Sequence, residues 1–255
     1  MHKFNLLPVC VYTLEGEEFI SVQKDKMDVN KRMLQPKVLR GLAPKIDWAS
    51  ALVVLASELF GTTLADLDHR YIGVCIGTVY GNHLMAKSYS DKIRRGAVSP
   101  TSYSVSGYNM CASLTALAYQ FQGPSIVIPG CNTSFGDLLL IGSNYLHRGD
   151  AEAMIVGKVD IDESGTWGMS SLTCIIKNET ADAPYQLVLG SDVTAADVTE
   201  ENADIIEKVS KHSQYMADTV IPFLFTNEQG EQLHQNKICD CPSMNNLGKT
   251  IIQRK

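Results

Sequence analysis

Apolar residues along this 255-residue chain recur with two periods, and the switch between them lays out most of its elements. The segment DWASALVVLASELFG (47–61) repeats its apolar residues at helical spacing, with Asp47 placed to cap the start and Gly61 to end it. A short β run, YIGVCIGTV (71–79), follows. GNHLMAKSYSDKIRRG (81–96) reads as a helix whose basic last turn suits the negative end of its macrodipole, and NMCASLTALAYQF (109–121) reads as a second helix. SIVI (125–128) is a buried-looking strand. TSFGDLLLIGSNYLHRG (133–149) is a helix opened by small polar residues and closed by Gly149, and AEAMIVGKVD (151–160) returns as a strand. A hairpin is expected over 8–23. Strands alternating with helices require right-handed crossovers and a sheet covered on both faces.

The last third has a different pattern. SSLTCIIK (170–177) and YQLVLGSDV (185–193) read as paired strands, ENADIIEKVSKHSQYMADT (201–219) as an amphipathic helix and VIPFLFT (220–226) as a short strand. After Asn227 both periodicities fade, and a surface-wrapping or frayed tail is expected. There is no internal repeat and no low-complexity linker.

Composition narrows the functional classes. Hydrophobic residues make up 45% of the chain and charged residues 20%, as in a water-soluble globular domain. A formal charge of −6 argues against a nucleic-acid or anionic-membrane partner. No apolar run reaches the length of a membrane span, and the N-terminal one is too short for a signal peptide. Seven scattered cysteines fit a reducing compartment, so a cytoplasmic protein is expected. Cys239 and Cys241 form a CDC pair with no second ligand pair at metal spacing, so no metal site is expected there.

One cysteine stands where chemistry could happen. In GPSIVIPGCNTSFG (123–136), Cys131 precedes a helical pattern, and the orphan N–H groups of a helix N-terminus favour a thiolate. The other reading is a small apolar residue packed in the core. The residues of this segment alone leave both open.

The stretch 99–160 resembles the N-terminal half of the β-ketoacyl synthases, the condensing enzymes of fatty-acid and polyketide synthesis, which share the thiolase fold. The marks are an Asn109-Met110 helix running into Gly123-Pro124-Ser125, a cysteine-bearing helix N-terminus, and Arg148-Gly149-Asp150-Ala151 followed by a strand ending in Gly157-Lys158-Val159-Asp160. GVCIGTVYG (73–81) adds the preceding strand and its turn. The resemblance covers 71–160 and fades by residue 195. It implies an α/β, thiolase-like fold: the N-terminal half of a β-ketoacyl synthase with a truncated C-terminal half. The corresponding units are a ketosynthase N-terminal-like domain over 1–195 and an extension over 196–255 made of helix, short strand and tail.

The same resemblance bears on Cys131. The family's nucleophilic cysteine lies nine residues beyond the glycine of Gly-Pro-Ser and eighteen before the aspartate of Gly-Asp-Ala. Counted from Gly123 and back from Asp150, both rulers reach Asn132, and Cys131 falls one place early. One residue turns a helical side chain by about 100°, and the Asn132 carboxamide cannot form a thioester. The family also takes two catalytic histidines from its C-terminal half. Downstream of Asp160 this chain has only His212, in a charged helix, and His234, in the tail. The family's long excursion after Gly-x-Val-Asp is missing too, since VDIDESGTWGMSSLTCIIK (159–177) runs straight on.

A ketosynthase-like chain without its cysteine is similar to chain-length factors, the inactive partners in heterodimeric condensing enzymes. At half length it resembles the short ketosynthase-like subunits of bacterial aryl polyene pathways. The resemblance then implies a heterodimer with a full-length β-ketoacyl synthase, joined through the Gly-Pro-Ser strand. It implies no cofactor beyond a phosphopantetheine-linked acyl chain brought by an acyl carrier protein. Position by position, Tyr80 matches the end of the acyl pocket, and Thr101 and Ser102 match an aromatic pair reaching toward the partner's pocket. Tyr80 also reads as a core aromatic, and Thr101 and Ser102 as turn residues after Pro100. Lys92, Arg94 and Arg95 offer a basic docking point for the carrier protein, or decorate a helix C-terminus. The competing function is an independent acyltransferase or thioesterase using Cys131, for which the nearest downstream histidine, His147, lies at the far end of the same helix.

Overall fold

The structure, a computed structural model, describes residues 2–7, 10–15, 18–21, 46–58, 60–130, 135–178, 185–191, 236–239 and 249–254. In chain order these form β1 (His2–Leu6), β2 (Cys10–Glu15), β3 (Glu18–Ser21), α1 (Trp48–Glu58), α2 (Gly61–Leu64), β4 (Ile72–Thr78), α3 (His83–Arg94), α4 (Pro100–Ser104) and α5 (Met110–Tyr119). There follow β5 (Ser125–Pro129), α6 (Phe135–Arg148), β6 (Ala153–Ile161), β7 (Trp167–Ile176), β8 (Tyr185–Ser191), β9 (Asn236–Cys239) and β10 (Lys249–Arg254).

All the strands join one mixed sheet in the order β5-β4-β6-β7-β1-β8-β10-β9, with the β2–β3 hairpin also paired to β7. The centre is the expected α/β unit. β5, β4 and β6 run parallel, which obliges the chain to cross over through helices between them. β6 turns back antiparallel into β7 through residues 162–166.

Alternation along the strands separates two apolar layers. Val74, Ile76, Ile155 and Val159 face α1 and α5, while Cys75, Met154 and Val156 face α6 with Phe135, Leu138 and Leu146. α1 lies inside the first layer and is buried all round from Ala49 to Ser57, so its sequence shows little polar face. α6 approaches the sheet closely because Gly142 faces it; a Cβ there would come 2.7 Å from Val156 Cγ2. Among the described residues no helix is long and apolar enough to cross a membrane.

Three sequence expectations need correction. Gly61 does not close α1 in a left-handed cap; it begins the short helix α2, and its backbone is not in the positive-φ region. The strands over 170–177 and 185–193 are not paired with each other, because β1 enters between them and bonds antiparallel to both. A sequence neighbour is the default partner, and only a remote segment of matching length displaces it. The tail after Asn227 is not wholly irregular. Thr250, Ile251 and Ile252, a β-branched run, bond to the open side of β8, and β9 extends the sheet beyond them. Asp47 caps α1 as expected, accepting from the Ala49 amide at 3.1 Å, the 8–23 hairpin forms as β2–β3, and Gly149 closes α6 at φ +77°. The expected helix over 201–219 and strand over 220–226 lie outside the described residues.

Candidate functional site

In an open sheet with parallel strands, the crevice beyond the carboxyl ends of those strands is where ligands bind. Here that edge is formed by Thr78 of β4, Pro129 of β5 and Ile161 of β6, and the turn from β4 into α3 crosses it. Asp160 holds the turn. Its carboxylate, itself buried, accepts from the Thr78 hydroxyl at 2.8 Å, the Val79 amide at 3.0 Å and the Tyr80 amide at 2.9 Å. The Thr78 hydroxyl in turn accepts from the Gly81 amide at 2.9 Å. Burial pushes the Asp160 carboxyl above the usual carboxylate range, opposed by these three donors and by the charge of Lys158, which is buried on the same strand.

Tyr108 closes the turn from outside. Its one hydroxyl proton is shared between the Thr78 and Val79 carbonyls, 2.7 and 2.6 Å from the phenol oxygen, and its ring lies against Gly81. Gly81 sits at φ +55°, where a Cβ would come 2.9 Å from that ring, so glycine is needed twice over. Burial, reinforced by Asp160, raises the Tyr108 phenol to about 12. The far end of the turn is pinned by Asn82. Its side-chain oxygen accepts from Ser50 at 2.8 Å and from the Cys111 thiol at 3.4 Å, and its amide donates to the Val105 carbonyl at 3.2 Å.

Tyr80 is therefore held at the crest of a rigid turn. The residue is 40% exposed, and its ring lies tilted against that of His83, with centroids 5.4 Å apart. That excludes the core-aromatic reading. Ser102 is buried on α4, where its hydroxyl accepts from Lys92 Nζ at 3.1 Å and its amide donates to Ser99 Oγ at 3.3 Å. Thr101, beside it, is exposed. The Asn82–Val105 bond ties the Tyr80 turn to the end of α4. Of the basic trio, Lys92 is thus engaged with Ser102, Arg94 pairs with Asp91 at 3.4 Å, and Arg95 is exposed beyond the end of α3.

Cys131 and Asn132 lie outside the described residues, as do His212 and His234. The segment that contains the first two departs from Gly130, whose amide donates to the Thr78 carbonyl at 3.2 Å, and re-enters at Phe135. His147 is exposed in the last turn of α6, about 18 Å along the helix from its start at Phe135. Burial raises the Cys75 and Cys111 thiols to about 12, which makes both inert. Among the described residues no cluster of three or more His, Cys, Asp or Glu could hold a metal ion. Asp160, Tyr108 and His83 carry no signal in the sequence that marks them as site residues. Asp160 was visible as the end of Gly-x-Val-Asp, but nothing along the chain pairs it with a turn eighty residues earlier.

The second feature is an open sheet edge. Among the described residues β5 bonds only to β4 and ends the strand order on its other side. Ile126, Val127 and Ile128 are each half-buried there. Because the Val74 amide donates to the Pro124 carbonyl, the parallel ladder turns the amides of Ile126 and Ile128 toward β4 and those of Ser125 and Val127 outward. Pro129 stands in the outward phase, where it lacks no ladder bond.

The β-ketoacyl synthase N-terminal domain matches residues 15–183. Among solved structures, one chain of the ketosynthase ApeO in complex with its chain length factor ApeC from Xenorhabdus doucetiae superposes with a TM-score of 0.56 at 9% identity, over 100% of both chains. A chain of the type II polyketide synthase assembly AntDE:AntF, an acyl-carrier protein in complex with its ketosynthase bound to the hexaketide, superposes at 0.50 with 11% identity, over 69% of this chain and 64% of that one. At such identities the shared property is the fold. No curated protein matches in sequence.

Proposed function

The chain belongs to the β-ketoacyl synthase N-terminal domain family, and we propose that within it this chain is a non-catalytic, chain-length-factor-like subunit. It pairs with a full-length β-ketoacyl-ACP synthase and shapes the tunnel that holds the growing acyl chain, in polyketide or fatty-acid-type synthesis such as that of aryl polyenes. The observation that carries the reading is the β5 edge. An apolar strand with outward-facing amides is an association hazard unless another strand completes it, and the sheet offers it no neighbour of its own among the described residues. A partner with the same fold supplies such an edge by symmetry.

The rest of the site fits a wall more than a catalyst. Tyr80 presents an aromatic face on a turn that cannot yield, which suits the end of a tunnel. Asn132 at the nucleophile position leaves condensation to the partner's cysteine. The acyl chain arrives as a thioester on the phosphopantetheine arm of an acyl carrier protein. That carrier docks by charge at the end of α3, where Arg95 is the exposed member of the Lys92, Arg94 and Arg95 group.

Co-expression with a full-length ketosynthase tests the reading. The two chains should purify as a one-to-one complex, with products of defined length. Thr101 is exposed, so Thr101→Phe should leave the fold intact and shorten the products, while Tyr80→Ala should lengthen them. Ser102→Phe is the less clean probe, because it also removes the Lys92 bond. Unchanged product length in folded, paired variants would reduce the chain to a scaffold.

A further inference from the structure

The turn that carries Tyr80 also carries an imidazole with no hydrogen bond. His83 opens α3; its Nδ1 and Nε2 are both buried, and neither has a hydrogen-bond partner among the described residues. A neutral imidazole brings one donor and one acceptor. Burying either without a partner costs free energy, and native proteins rarely leave such a group unexplained.

The surrounding polar groups on the turn are already committed. Asn82 is taken by Ser50, Cys111 and Val105. Asp160 is taken by Thr78, Val79 and Tyr80, and the Tyr108 hydroxyl by two carbonyls. Asp47, near the start of α3, accepts from the Ala49 and Met85 amides. Tyr80 gives His83 a tilted ring contact, 53° between planes, and no hydrogen bond.

Resting on the reading of Tyr80 as the end of the acyl tunnel, we propose that His83 recognises a hydrogen-bonding group at the distal end of the acyl chain. The complex then selects chains that end in a polar group over chains that end in a methyl. A methyl terminus beside His83 leaves the imidazole unpaired, whereas a hydroxyl or carbonyl terminus pairs it. A site built to bond a polar group discriminates strongly against the analogue that lacks it.

The test uses the complex with its ketosynthase and two carrier-bound thioesters of matched length, ω-hydroxyoctanoyl and nonanoyl. The wild-type complex should favour the hydroxylated chain by about tenfold in kcat/KM. His83→Phe keeps a flat ring and removes both nitrogens, and should bring the ratio close to one. His83→Gln restores a donor and an acceptor and should recover part of the preference, which a purely structural role would not do. A wild-type ratio near one, or an unchanged ratio in both folded variants, overturns the proposal. Loss of pairing in both folded variants overturns it as well, and assigns the imidazole to the subunit interface. Pairing and the response of product length to Tyr80→Ala are read in the same preparations. If those succeed and the ratio does not move, this inference alone fails; if the wild-type chain never pairs, the functional reading fails with it.

Discussion

Asp160 is where the candidate site is most vulnerable to a single substitution. Its carboxylate satisfies the buried Thr78 hydroxyl and the amides of Val79 and Tyr80. Hydrogen bonds to a charged group contribute about 1.5–3 kcal/mol each. The two amides are only partly buried and water replaces some of what they lose, so Asp160→Ala should cost about 3–5 kcal/mol, the usual range for removing one member of a buried charged network. Asp160→Asn keeps one acceptor oxygen but turns an NH2 toward N–H donors, and should cost about 1–2 kcal/mol. Urea unfolding at constant m measures both. In a double-mutant cycle, Thr78→Val and Asp160→Asn should couple by about 1 kcal/mol or more.

The pH dependence has a definite sign. Burial lifts the Asp160 pKa above 3.8, so between 3.8 and that raised value the folded chain holds a proton that the unfolded chain releases. The contribution is fullest below this interval and declines as pH rises through it, whereas an asparagine is flat. The advantage of wild type over Asp160→Asn should therefore be larger near about pH 4 than near about pH 7. A coupling under about 0.5 kcal/mol would refute the view that Asp160 organises the turn, and the opposite pH trend would show that its donors outweigh its burial.

Other outcomes follow from the same geometry. Cys75 and Cys111, with thiols near 12, should resist iodoacetamide at mildly alkaline pH until the protein unfolds, as mass spectrometry of the labelled peptides would record. Cys131→Ser in the complex should leave the condensation rate within about tenfold, that is within about 1.4 kcal/mol of transition-state stabilisation; a greater loss would make Cys131 the nucleophile.

The centre of the fold was legible because its signals are local. Short apolar β runs at 72–78 and 153–161 and helical spacing at 48–58 and 135–148 needed no partner to be read. What failed was non-local. β1 displaces β8 from β7 by pairing with a strand about 170 residues away, and the β10 strand gains its place from the open side of β8 and not from its own weak pattern. The site divides the same way. Tyr80 and the Gly-x-Val-Asp strand stood out through family resemblance, while the bond from Asp160 to the Tyr80 turn and the unpaired His83 ring exist only once β4 and β6 lie side by side. The contact of Lys92 with Ser102 likewise joins two residues the sequence assigned to different tasks.

In the proposed function, β5 is completed by a strand of the ketosynthase. Val127→Pro removes an amide that faces away from β4, so it spares the internal ladder while blocking an added strand. Size-exclusion chromatography with light scattering on the co-expressed chains is the most direct measurement. Wild type should elute as a one-to-one heterodimer with a full-length ketosynthase, and Val127→Pro, with an unchanged circular dichroism spectrum, should elute unpaired. A wild-type chain that stays alone beside the ketosynthase, or a Val127→Pro chain that pairs with undiminished affinity, would contradict pairing through β5.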